Sequence, residues 1–159
     1  PCKGDVSLTA SLYKAMLLAK TSIYAQGFAL ISSVNKECSY GIDMKQLSVI
    51  WQNGCIIKSE FLKEIYQAYE KNPDVSNLLV SPVFIKHIQE CRTALQEVIH
   101  YAMEQRIYVP VLCSALNYIN GYTSAELETN LIQAQRDCFG AHTYERVDQE
   151  GVFHSDWLK

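Results

Sequence analysis

Glycine, proline and long runs of one character are scarce in this 159-residue chain, and each scarcity excludes something. The seven glycines, at positions 4, 27, 41, 54, 121, 140 and 151, never fall at GxGxxG spacing. Neither a dinucleotide-binding turn nor a GxxxxGK[ST] phosphate loop is therefore encoded. The apolar stretches are interrupted by Lys14, Lys20 and Gln26 before they reach the roughly 20 residues of a membrane span. The expectation is a soluble, cytoplasmic chain without a membrane partner. No run of five like charges occurs, and the formal net charge is −3. Nucleic-acid binding normally needs a basic stripe, so no nucleic-acid partner is expected. The six cysteines, at 2, 38, 55, 91, 113 and 138, never approach CxxC spacing. Zinc sites draw their ligands in local pairs, so no metal is expected.

What is present is helical periodicity. Apolar residues make up 48% of the chain, enough for a core without disulfide staples. Leu8, Leu12, Ala15, Ala19, Ile23 and Leu30 recur at helical spacing, with Met16 and Phe28 widening the stripe, and predict a long central helix over 5–34. Asp43 is placed to cap a short helix through Met44, Leu47, Ile50 and Trp51 that Asn53-Gly54 ends. A third helix carries Ile57, Phe61, Leu62, Ile65, Tyr66 and Tyr69, and stops at Asn72-Pro73 because the residue before proline is pushed out of the helical region. Ser81-Pro82 opens a fourth, through Phe84, Ile88, Cys91, Leu95, Val98, Ala102 and Met103 to about Arg106. A fifth carries Val111, Ala115, Leu116 and Ile119 and is expected to stop at Asn120-Gly121. Thr123 and Glu126 form a capping-box pattern for a sixth through Leu127, Leu131, Ile132 and Gln135. Beyond Gly140 the period is lost, and a small hairpin turning at Asp148–Gly151 or an extended tail are both compatible with the pattern. The fold class is all-α, a multi-helix domain over 1–138 with an extended C-terminal tail over 139–159.

No GxSxG, HExxH or Asp-x-Asp signature occurs, so no catalytic constellation is legible locally. The densest polar cluster runs from Asn130 to Tyr144, across a helix end and the loop after it. There Arg136 offers a planar fork of donors, and a turn at Gly140 can bring His142 back to the same side. Together they suit an oxyanion such as a phosphate or carboxylate. Chemistry alone favours the ordinary alternative, in which Arg136 caps its helix and pairs with Asp137 or Glu128 while His142 is a satisfied loop histidine.

A resemblance reverses that preference. Ser22-Ile-Tyr-Ala-Gln-Gly-Phe28, Gly54-Cys-Ile-Ile-Lys58-Ser-Glu-Phe-Leu62, Asn77-Leu-Leu79, the fifteen residues Asn130–Tyr144, Gly151-Val-Phe-His154 and Trp157 together resemble the C-terminal part of decarboxylating 6-phosphogluconate dehydrogenase. The resemblance implies the later half of that family's large helical domain and a tail that reaches the neighbouring subunit of a homodimer. It implies that the parent enzyme oxidises 6-phosphogluconate with NADP and decarboxylates it to ribulose 5-phosphate, in the pentose phosphate pathway. Arg136 and His142 then map onto the family's substrate-binding Arg and His, the Arg on the phosphate of a site in the partner subunit. The family's N-terminal Rossmann domain, which mainly binds NADP, and its catalytic Lys and Glu around a His-Asn-Gly-Ile-Glu-Tyr motif have no counterpart here. The isolated chain is accordingly expected to be inactive. The alternative is a free-standing, non-catalytic helical interaction or dimerisation module derived from that enzyme.

This sequence departs from the family in three places. Glu128-Thr129 stands where the family has proline and a small residue, Cys138 where an aromatic is common, and Lys58 where Arg is usual. Lys58 reads as a solvated charge at a helix start, and Tyr24, Gln26 and Phe28 as packing residues. His87 and His100 read as structural, while His154 and Trp157 either anchor the tail in an apolar pocket of a partner subunit, which is the expectation, or are frayed C-terminal residues.

Overall fold

The structure, a computed structural model, describes residues 6–53, 56 and 59–157. Six α-helices follow one another: α1 (Val6–Cys38), α2 (Met44–Gln52), α3 (Phe61–Lys71), α4 (Pro82–Glu104), α5 (Pro110–Tyr122) and α6 (Thr129–Gly140). A 3-10 turn at Leu78–Val80 precedes α4, and the strands β1 (Tyr144–Glu145) and β2 (Val152–Phe153) close the chain. The fold is the expected all-α one. The chain divides into two compact units, the first ending at Ile119 and the second beginning at Asn120. The expected boundary at 138 would have cut α6 from the tail, whereas the second unit contains both.

In the first unit α1 packs chiefly on α4, α2 packs on α3, and the 3-10 turn seats against both long helices. The buried face of α1 is made of Ala15, Leu18, Ala19, Ser22, Ala25 and Phe28. This corrects the predicted stripe. Leu12, Met16, Ile23 and Leu30 are all exposed, whereas the small residues 15, 19, 22 and 25, which also recur at helical spacing, are buried. A helix apolar all round does not reveal from its sequence which face meets its neighbour.

Local signals are mostly where the sequence puts them. The Asp43 carboxylate accepts from the N–H groups of Lys45 and Gln46 at 2.8 and 3.2 Å, capping α2. Asn72 ends α3, and Pro82 occupies the first turn of α4. Phe61, Phe84 and Phe28 sit in the core. Phe61 packs on Phe84 with centroids 5.2 Å apart, and Phe28 meets Trp51 edge-on at 5.1 Å. Asn77, fully enclosed, accepts from Leu79 N–H at 2.9 Å and donates to Tyr118 Oη at 2.7 Å. Tyr24 and Phe28 are packing residues, but Gln26 is exposed and donates back to Ser22 on its own helix. His87 lies against the rings of Phe61 and Phe84 and meets Glu64 at 3.2 Å, while His100 pairs with Glu104 on the surface of α4. Lys58 lies outside the described residues.

Two helix ends differ from expectation. α5 continues through Asn120-Gly121 to Tyr122, and Ser124 Oγ donates to the Asn120 carbonyl behind it. Consequently α6 starts only at Thr129, after Glu128, and the Thr123/Glu126 pattern and Leu127 lie ahead of it. Among the described residues no helix is long and apolar enough to cross a membrane.

Candidate anion-binding site

The second unit places Arg136 and His142 around the end of α6. Arg136, exposed in the last turns of the helix, donates from Nη1 to Gln133 Oε1 at 3.0 Å. Gln133 is thus its partner, in place of the expected Asp137 or Glu128. One side-chain bond leaves most of the five guanidinium donors directed to solvent.

Past Gly140 the chain turns sharply. Ala141 is left-handed at φ 49° and ψ 41°, and its N–H bonds the Asp137 carbonyl at 2.9 Å, ending the helix. Thr143 is left-handed as well, at φ 64°. His142 therefore stands between two residues in a conformation that side chains disfavour, which requires the surroundings to hold it. Thr143 supplies that hold. Its N–H is accepted by Asp137 Oδ1 at 2.9 Å, and its carbonyl receives the Gln133 side-chain amide. The His142 ring itself lies over Gly140, where a Cβ would come within 2.8 Å of Nε2, and stands edge-on to Phe139 at 5.7 Å. Gly140 is thus a seat for the imidazole.

Asp137 is the residue that sequence reasoning missed. Its side chain is wholly buried, and its carboxylate receives four donors. Oδ1 takes Thr143 N–H and His154 Nδ1 at 2.9 and 2.8 Å; Oδ2 takes Ser155 N–H and Trp157 Nε1 at 3.0 and 2.8 Å. An ionised carboxylate only accepts, so His154 carries its proton on Nδ1 in this contact. Burial pushes the Asp137 pKa up, but the donors from Ser155, His154, Trp157 and Thr143 outweigh it and hold the group well below the usual carboxylate range. His154 and Trp157 do anchor the tail, and they do so on this chain's own carboxylate. Nothing in the sequence marked this, since the partners lie 17 and 20 residues from Asp137.

Between these ends the tail forms the small hairpin. Tyr144 pairs with Phe153 and Glu145 with Val152, and Gly151 takes φ +122°, which a side chain would strain. Arg146 grips Asp148 through Nε and Nη2 at 2.8 and 2.6 Å, and Tyr144 Oη meets Ser155 Oγ at 2.7 Å.

The chemistry of this arrangement is that of exposed donors in fixed positions; among the described residues around the end of α6 no nucleophile and base are held together. Fold and site thus define a class: an all-α chain ending in a clasped hairpin, with an Arg and a His exposed around the end of its last helix. The family model described as the C-terminal domain of 6-phosphogluconate dehydrogenase matches residues 3–157, and the chain belongs to that family.

Its relatives are full enzymes. The decarboxylating 6-phosphogluconate dehydrogenase of Staphylococcus aureus (strain N315) is 42% identical over 92% of this chain and 31% of its own length. The Escherichia coli (strain K12) enzyme of the same name is 43% identical over 99% of this chain and 34% of its own. A Bacillus subtilis (strain 168) relative, named as NADP(+)-dependent, is 42% identical over 96% and 32%. The solved 6-phosphogluconate dehydrogenase of Plasmodium falciparum superposes with a TM-score of 0.91 at 33% identity, covering 99% of this chain and 34% of that one. The chain therefore spans about one third of the length of the relatives it matches. Among the described residues the strands β1 and β2 form one two-stranded antiparallel sheet and no βαβ unit, the arrangement that commonly seats a dinucleotide phosphate, is found.

Proposed function

We propose that this chain is the C-terminal part of a cytoplasmic, homodimeric 6-phosphogluconate dehydrogenase, and that it supplies helical scaffold and two substrate-binding residues. The parent enzyme oxidises and decarboxylates 6-phosphogluconate to ribulose 5-phosphate with reduction of NADP. Arg136 binds the substrate phosphate and His142 adds a second donor, both acting in the active site of the neighbouring subunit; residues 139–159 are the segment that reaches it. The proton-transferring residues and the cofactor domain belong to the rest of the polypeptide, so the 159-residue chain alone reduces no NADP. The carrying observation is the exposed presentation of Arg136 and His142 around a helix end that Gln133 and Asp137 hold in place.

Replacing Arg136 by Ala in the full-length enzyme tests this reading. A hydrogen bond to a charged group contributes about 1.5–3 kcal/mol, so KM for 6-phosphogluconate is expected to rise roughly 10- to 150-fold. An unchanged KM removes Arg136 from the site.

A further inference from the structure

We propose that Asp137 is the positioning residue of the substrate site: its one buried carboxylate ties the tail, through His154, Ser155 and Trp157, to the loop that presents His142 and to the helix turn that carries Arg136. The proposal rests on the assignment of Arg136 and His142 to substrate binding, and adds what fixes them. Asp137 follows Arg136 directly in α6 and accepts from the residue directly after His142. The tail arrives at the same two oxygens from the other side, at residues 154, 155 and 157.

The geometry leaves no slack. A carboxylate has about four acceptor positions, and all four are used, two on each oxygen. Each oxygen receives one backbone N–H and one ring N–H, so neither the loop nor the tail can leave without unpairing a donor of the same carboxylate. Of the described residues after Ile119, Asp137 alone is buried, so apolar packing does not duplicate its role. The left-handed residues on either side of His142 need such a tether, since an untethered loop relaxes out of that conformation. A tail that loses its grip on Asp137 therefore releases the imidazole as well. Placement of the substrate donors and docking of residues 154–157 are one event.

Asp137→Asn in the full-length enzyme tests the proposal. The amide keeps one acceptor oxygen but turns an NH2 towards two donors, so one side of the clasp opens. KM for 6-phosphogluconate is expected to rise about tenfold or more, because small misplacements of binding groups are costly, while KM for NADP stays put. Trp157→Phe keeps the ring and removes one donor, and a smaller rise, roughly threefold, is expected. Once the clasp is open the second change removes little more, so the double variant should match Asp137→Asn alone. A merely structural carboxylate would lower the active fraction, read as kcat, with KM unmoved; that result overturns the proposal. Additive effects in the double variant overturn it too. If Asp137→Asn fails to fold, Trp157→Phe decides alone by its KM. The arms separate the two claims: an unmoved KM in both clasp variants beside a raised KM in Arg136→Ala sinks the clasp and spares the substrate site, whereas an unmoved KM in Arg136→Ala sinks both.

Discussion

Every buried apolar side chain among the described residues lies at or before Ile119, whereas the buried side chain beyond it is a carboxylate, Asp137. The first unit is held by area: Phe28, Phe84, Leu18, Leu62, Ile65 and Leu95 are removed from water almost completely. Such burial is non-directional, contributes about 1.5–3 kcal/mol for each large side chain, and tolerates small shifts. The second unit is held by direction. Its apolar residues Leu131, Ile132, Phe139 and Val152 are largely exposed, and its geometry depends on donors aimed at two oxygens. The difference suits the two roles proposed for the units, because a scaffold needs bulk stability and a binding loop needs fixed donor positions.

The largest effect expected from breaking this comparison is in the first unit. Phe84 is fully enclosed, with the Phe61 and His87 rings 5.2 and 5.6 Å away. Phe84→Ala should cost about 3–5 kcal/mol, read from the denaturant midpoint. Val147→Ala, at a side chain wholly in solvent, should stay within about 0.5 kcal/mol. Comparable losses from the two would mean that the second unit is packed like the first.

Acid separates the two units by mechanism. The Asp137 pKa is depressed in the folded chain, so its contribution is complete above the ordinary aspartate value of about 3.9 and is lost as pH falls from there towards the folded value. The tail should thus stay clasped from neutral pH down to about pH 5 and loosen only below about pH 4. The indole N–H resonance of Trp157 reports it, and Asp137→Asn should abolish the transition. Loosening near pH 6 would instead point to a histidine as the controlling group. Among the described residues of the first unit no carboxylate is buried, the Glu64 group beside His87 being partly in solvent, and the direct response of the core around Phe84 to the same acid step should be smaller.

How much of this was legible in the sequence follows the same divide. Helices α2, α3 and α4 were readable because caps, prolines and apolar spacing are local, as at Asp43, Asn72 and Pro82. The face of α1 was not, because large apolar residues surround it and the face that is buried carries the small residues Ala15, Ala19, Ser22 and Ala25. The start of α6 was missed because the capping pattern at Thr123 competes with the continuation of α5 to Tyr122. Arg136 and His142 were singled out by residue type and by resemblance. Their supports, Gln133, Asp137 and Gly140, were not, since each acts through a partner fixed only when the chain has turned back on itself.

Gly140 provides the finest discrimination between the two kinds of organisation. It ends α6 without a left-handed φ, so alanine there meets no backbone strain, and helix propensity favours alanine by up to about 1 kcal/mol. By the logic of the first unit, Gly140→Ala is neutral or stabilising. By the logic of the second it is harmful, because the new Cβ would stand 2.8 and 2.9 Å from Nε2 and Cδ2 of His142 and the ring would have to leave its seat. The expected outcome in the full-length enzyme is an unchanged or slightly raised melting temperature together with a KM for 6-phosphogluconate several-fold higher, about 1 kcal/mol of lost binding for one weakened hydrogen bond. An unchanged KM would show that the ring can leave its seat over Gly140 without loss of substrate binding, and that the clasp fixes the backbone around His142 more tightly than the ring itself.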